Sequence, residues 1–257
     1  ANDRELKLLG RIHTWAEFLE SFTLARECGF ANLNIDLMSA LPGQTCESWK
    51  ETLSRVTELD PEHISAYSRI IEEGTPFGER YGSEEGRKLL PDEDSEREMY
   101  HETKRFLKDC GYERYEISNY AKPGFACRHN IGYWKRTDYL GFGPSAASLF
   151  GNRRWTNTAD RSLYLKACGA LEKIREDEEI LSRQDAMEEF MFLGLRMTQG
   201  ISTAEFEEKF GKEIHAVYGG VLKKYEAMHL LQEHSGRLAL TRDGISVSNV
   251  ILADFLL

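Results

Sequence analysis

The chain has 257 residues, 41% hydrophobic and 30% charged, which describes an ordinary soluble globule of one large domain or two smaller ones. A formal net charge of −10 argues against a nucleic-acid ligand, because such binders normally display a net basic face. No apolar run approaches membrane-span length, no secretory leader opens the chain, and cysteines at 28, 46, 110, 127 and 168 fit no disulfide framework, so a reducing cytoplasm is expected.

The first part alternates helix and strand. Thr14-Trp15-Ala16-Glu17 reads as a capping box opening a helix that runs to Cys28 and stops at Gly29. Residues 31–38 form a strand with Leu33, Ile35 and Leu37 on one face. A Leu41-Pro42-Gly43-Gln44 turn leads to a helix over 47–59, which Asp60-Pro61 ends. A second strand covers 63–70, a glycine-rich loop follows to Gly86, a charged helix covers 91–109, and a third strand covers 112–117. Strands separated by helices of this length predict parallel βαβ units, and three strands make half of a barrel. The polar start Ala1-Asn2-Asp3 then suggests a fragment of a longer protein; a small natural α/β domain is the other reading.

From 118 to 158 the pattern is irregular and rich in glycine and aromatic residues, as functional segments often are. Helices are expected over 161–175, 183–197, 203–210 and 213–231, a hairpin over 232–241 around Ser235-Gly236-Arg237, and a last helix over 243–255. That order suggests a winged-helix-like module, with a domain boundary between 159 and 160. Met187, Met191 and Met197 read as core, and Glu176 to Glu179 as a solvated loop.

The run Cys127-Arg128-His129-Asn130-Ile131-Gly132-Tyr133-Trp134 carries the most chemistry. A histidine beside flat apolar side chains suits a metallated ring such as haem; a hydrogen-bonded packing histidine is the plainer reading. Cys127 is either a thiolate ligand or attachment point, or a packed thiol. Asp36 stands toward a strand end, where an acidic group can hold ribose hydroxyls or simply cap the strand; Arg11 is open to a surface ion pair.

The stretch Glu-Arg-Tyr-Glu-Ile-Ser-Asn-Tyr-Ala-Lys-Pro-Gly at 113–124, followed by His-Asn-x-x-Tyr-Trp at 129–134, resembles the HemW family of haem chaperones. These are relatives of the oxygen-independent coproporphyrinogen III oxidases, which are radical S-adenosylmethionine (SAM) proteins. The resemblance implies an α/β fold: the second half of a radical-SAM partial (β/α) barrel over 1–159, then a mostly helical, winged-helix-like C-terminal domain over 160–257. It implies haem binding by His129 as iron ligand, with Asn130 orienting it and Tyr133 and Trp134 against the ring. Leu9-Gly10-Arg11-Ile12-His13, the 34–45 segment with Leu41-Pro42-Gly43-Gln44-Thr45, and the 64–70 segment resemble family motifs that place Arg11, Asp36 and Ile70 at a SAM site. The family's CxxxCxxC motif for a [4Fe–4S] cluster is not in this sequence, so cluster and SAM chemistry belong to the complete protein and this chain alone is expected to be inactive. Ser39-Ala40 replaces the usual Tyr-Gly, and Ser145 and Ala147 replace a glycine and a histidine, which leaves a second ligand there in doubt. The implied partners are haem and an unknown acceptor protein. An unpaired edge at the 31–38 strand would expose Leu33, Ile35 and Leu37 and invite pairing with a second copy. Two rival functions are coproporphyrinogen III oxidation and nucleic-acid binding by the winged-helix-like part.

Overall fold

The structure, a computed structural model, describes residues 1–68, 71, 74–167 and 169–257; Ile70 therefore lies outside the described residues. Two compact units divide the chain, Ala1–Cys127 and Arg128–Leu257.

In the first unit, α1 (Asp3–Leu8) is capped by Asn2, and α2 (Trp15–Glu27) starts at the expected Thr14–Glu17 capping box. Then come β1 (Asn34–Ser39), α3 (Cys46–Thr57, capped by Thr45 and Ser48) and β2 (His63–Ser68). The segment expected as a glycine-rich loop instead holds two short helices, α4 (Pro76–Tyr81) and α5 (Glu84–Arg87). The caps Thr75 and Ser83, with Pro76 in the first turn, outweigh the glycines. Next is α6 (Glu93–Asp109), capped by Asp92.

The third parallel strand needs correction. Only Glu113–Arg114 (β3) is extended; the chain then folds back, with the Ser118 N–H donating to Glu116 Oε1 at 2.9 Å, into β4 (Asn119–Ala121). β4 runs antiparallel to both β3 and β2, so the sheet order is β1-β2-β4-β3 and only β1–β2 is parallel. β1 is an edge strand, as expected, yet Ile35 and Leu37 are buried, at 4% and 8% exposure. They join a core with Trp49, Leu53, Ile64, Met99 and Tyr120, against which Trp15, Phe18 and Phe22 of α2 also pack. The expected loss of cover at these two positions is therefore not found.

The second unit opens with α7 (Arg128–Trp134), then a hairpin of β5 (Ala147–Phe150) and β6 (Arg153–Asn157) turning on Gly151-Asn152, both at positive φ. The stretch from 118 to 158 is thus more regular than its composition suggests. α8 (Arg161–Lys166) is short because Gly169, at φ 92, breaks the helix expected to reach 175. A single 3-10 turn at Leu171–Ile174 leads into β7 (Arg175–Ile180), which pairs with β6. The acidic run is exposed but is strand rather than loop, and Arg153 of β6 meets Glu178 at 2.8 Å.

The rest of the unit is α9 (Arg183–Gly194), β8 (Ile201–Ser202), α10 (Thr203–Phe210), α11 (Ile214–Ala227), β9 (Leu231–His234), β10 (Arg237–Leu240), α12 (Arg242–Ser246) and α13 (Ser248–Ala253). The helix expected over 243–255 is split where Val247, at φ −120, leaves helical geometry. Helices α9 to α11 cover an antiparallel sheet of order β8-β10-β9, the order of a winged helix, and Met187, Met191 and Phe206 lie in its core. Gly200 (φ 62) passes so close to β10 that a Cβ would sit 1.8 Å from the Leu238 carbonyl oxygen. The compact unit begins before the boundary expected at 159–160, because β5 and β6 form one sheet with β7 and α7 packs on α9. Among the described residues no helix is long and apolar enough to cross a membrane.

Candidate functional site

Two groups of the expected site residues occupy different units. In the first unit, β1 and β2 align Asn34 with His63 and Asp36 with Ser65. Alternation along a strand puts these four on the sheet face opposite Ile35 and Leu37. The Asn34 amide donates to Asp36 Oδ1 at 2.7 Å, and its oxygen lies 2.6 Å from His63 Nδ1. That leaves His63 Nε2 to accept from the Tyr115 hydroxyl at 2.8 Å, and the same hydroxyl accepts the Cys127 N–H at 3.4 Å. Burial pushes the His63 imidazole down from its ordinary value, against the pull of the nearby Asp36 charge. Burial also pushes the Tyr115 hydroxyl well up, so it stays protonated as the donor.

Asp36 is exposed and lines a cavity of about 430 Å³ along the β1 edge, together with Arg11, His13, Met38 and Tyr67. The structure therefore brings Arg11 and Asp36 to one cavity. Among the described residues Arg11 makes no ion pair, and Asp36 is oriented by Asn34 rather than capping a strand end. An unpaired guanidinium and a carboxylate on one cavity of mixed polar and apolar lining are groups that fit the carboxylate and the ribose hydroxyls of SAM. The cluster is different: the cysteines are far apart in sequence, and no group of three ligating side chains converges among the described residues.

In the second unit, α7 carries all four haem-motif residues. Its 3.6-residue period stacks His129 on Tyr133, and the two rings meet edge to face at 4.7 Å. Tyr133 in turn meets Tyr139 at 4.7 Å, also edge to face. His129 is exposed, so its ring is open to an incoming ligand. Asn130 is half-buried, and as the next helical residue it points about 100° away from His129. Trp134 is half-buried beneath Arg196, whose guanidinium carbon lies 4.6 Å from the indole centroid. Ala147 lies at the start of β5 and Ser145, at φ 60, in the loop before it.

What fixes α7 was not among the expected residues. The helix ends in a Schellman motif: the Thr137 N–H bonds the Gly132 carbonyl and the Arg136 N–H the Tyr133 carbonyl. Arg136 takes the left-handed position, at φ 53, where a non-glycine residue costs roughly 1–2 kcal/mol. Its Nε donates to Glu189 Oε2 on α9 at 2.6 Å, and Arg154 of β6 bonds the other carboxylate oxygen. Glu189 is 6% exposed, so one buried carboxylate ties the end of α7, the hairpin and α9 together. The only signal in sequence was an acidic residue beside the core positions Met187 and Phe190 of an otherwise apolar helix face.

Comparison with known proteins agrees with this architecture. Residues 181–247 match the HemN C-terminal domain family. "Heme chaperone HemW" of Lactococcus lactis is 36% identical over 256 residues, covering 100% of this chain and 66% of that protein. "Heme chaperone HemW" of Bacillus subtilis is 35% identical, covering 99% of this chain and 66% of that protein. The chain thus spans just under two thirds of the length of these relatives. The solved structure described as coproporphyrinogen III oxidase (HemN) from Escherichia coli, a radical SAM enzyme, superposes with a TM-score of 0.77 over 99% of this chain and 62% of that one. At 21% identity that likeness speaks for the fold. The chain is similar over its whole length to the HemW proteins, and over residues 181–247 to the HemN C-terminal domain family.

Proposed function

We propose that this chain is the haem-holding part of a HemW-type haem chaperone that passes haem to an acceptor protein. One observation carries the reading: an exposed imidazole, His129, braced edge to face by Tyr133 on a helix whose last residue is a second large ring, Trp134. His129 would hold the haem iron through its imidazole. Tyr133 braces the imidazole edge to face, and Tyr133 and Trp134 would border the macrocycle. Asn130, one position round the helix, borders the ring. The pinning of α7 by Glu189 keeps the ligand in place as haem arrives, which lowers the ordering cost of binding.

Arg11 and Asp36 form the part of a SAM site that this chain supplies: Arg11 faces the carboxylate and Asp36, oriented by Asn34, the ribose hydroxyls. Ile70 belongs to the same proposed set. SAM and a [4Fe–4S] cluster act in the complete protein, where they supply radical or redox chemistry. The rival reading, oxidation of coproporphyrinogen III, has the likeness to HemN in its favour, and that likeness is one of fold. The free cysteines 28, 46, 110 and 127 suit a reducing cytoplasm. The open β1 edge suits pairing with a second copy.

Titration with haemin tests the reading. The wild type should give a shifted Soret band, and His129→Ala should abolish the shift and weaken binding strongly. Equal affinity and equal spectra for the two proteins would remove His129 as ligand.

A further inference from the structure

Beside the cavity of the first unit, the side chains form a hydrogen-bonded row whose direction is fixed from one end. A carboxylate only accepts hydrogen bonds, so Asp36 Oδ1, 2.7 Å from the Asn34 amide, must face its nitrogen. The amide oxygen of Asn34 then faces His63 Nδ1 at 2.6 Å, and that ring nitrogen must carry the proton. Ser65 Oγ donates to the same oxygen over a longer 3.2 Å. In the neutral ring Nε2 is then bare, and the Tyr115 hydroxyl donates to it at 2.8 Å. Burial keeps the ring neutral by disfavouring a second proton. Asn34 and Asp36 are exposed and line the cavity, whereas His63 is only 5% exposed and is not among its walls.

The nitrogen and oxygen ends of an asparagine amide have nearly the same size and shape, so only its partners decide which way it lies. Turned over, the Asn34 amide would set its oxygen against the Asp36 carboxylate and drive that group from its place. We propose that His63 is a positioning residue for Asp36: its Nδ1–H, secured at Nε2 by Tyr115, holds the Asn34 amide with the nitrogen toward Asp36, and so keeps the carboxylate set for the ribose hydroxyls of a ligand in the cavity. This inference rests on the reading of Asp36 as the ribose-holding group of a SAM site and deepens it. His63 contributes selectivity for a ribose without touching it.

Two measurements on the full chain test this. Near neutral pH, nitrogen NMR of the imidazole should show His63 in the Nδ1–H form, whereas neutral histidine in water favours the Nε2–H form; an Nε2–H ring overturns the proposal. The second measurement compares binding of S-adenosylhomocysteine with that of a counterpart lacking both ribose hydroxyls, each followed by NMR of the ligand. The wild type should prefer the hydroxylated ligand by roughly ten- to a hundredfold, and Asp36→Asn should lose most of that preference. His63→Leu should cut the preference by roughly three- to tenfold, the ordering cost of one side chain, while binding the counterpart as the wild type does, which also shows that the variant is folded. His63→Asn, whose amide nitrogen stands near the place of Nδ1, should restore it. A His63→Leu protein that keeps the full preference when Asp36→Asn has lost it, or a His63→Asn protein that fares no better than His63→Leu, overturns the positioning role and leaves the Asp36 reading standing. A wild type that binds neither ligand or does not distinguish them, or an Asp36→Asn protein that keeps the preference, ends the Asp36 reading and the role of His63 with it.

Discussion

The two units place their polar residues in opposite ways. In the first, Asn34, Asp36 and His63 stand on one sheet face beside an open cavity, fixed by strand register and a chain of side-chain hydrogen bonds. In the second, α7 is fixed from behind by a buried carboxylate between two arginines, and its exposed start carries His129, braced by Tyr133. Register is a cheap way to align residues on adjacent strands. A seven-residue helix has no such neighbour, and alone it would not be stable in water, so it needs an anchor of its own. A small polar ligand can be served by the first arrangement. A broad flat one needs the second, with its supports kept off the binding face.

The largest expected effect tests that anchor. Glu189→Ala leaves two guanidinium groups without their carboxylate, one of them only 12% exposed, and should lower the stability of the second unit by about 3 kcal/mol in urea titrations. A loss under about 1 kcal/mol would mean that water replaces Glu189 and that α7 is held by its backbone motif alone. Next, Gly200→Ala drives a methyl group into the Leu238 carbonyl and should cost about 2 kcal/mol or more by thermal or urea melts, again confined to the second unit. In the first unit the corresponding loss is smaller. Thr103→Val removes the acceptor of the buried Trp49 indole N–H, a bond of 2.8 Å, and should cost about 1–2 kcal/mol, read through Trp49 fluorescence.

The smallest effect is a pH dependence. Burial lowers the folded-state value of His63, so the unfolded chain binds the proton first as pH falls. Its contribution to stability is complete above the ordinary histidine value, near 6.5, and is lost as pH falls from there through the folded-state value. His63→Gln should flatten this acid limb in the first unit; an unchanged limb would assign it to other groups.

Local signals located most helices. Thr14, Thr45 and Ser182 cap where the chain offers a side-chain oxygen before an apolar period, and Ser235-Gly236, both at positive φ, turn the wing hairpin as expected. What local signals could not supply was pairing. The strand expected over 112–117 shrinks to Glu113–Arg114, and a second strand forms at Asn119–Ala121, because Glu116 turns the chain by accepting the Ser118 N–H. The run Glu176 to Glu179 has no apolar alternation and becomes a strand only through β6. At the site, motif resemblance singled out His129, Tyr133 and Trp134, while Glu189, Arg136, Arg154 and Arg196 went unnoticed, since the meaning of each lies in a partner distant in sequence.

The Glu189 clasp also sets an order in time. A ribosome releases α7 and the β5–β6 hairpin before it has made α9, so Arg136 and Arg154 emerge ahead of the carboxylate that holds them. A nascent chain can already display His129, but it cannot yet hold it rigidly. The end of α7 becomes rigid only when α9 has been synthesised and has folded against it.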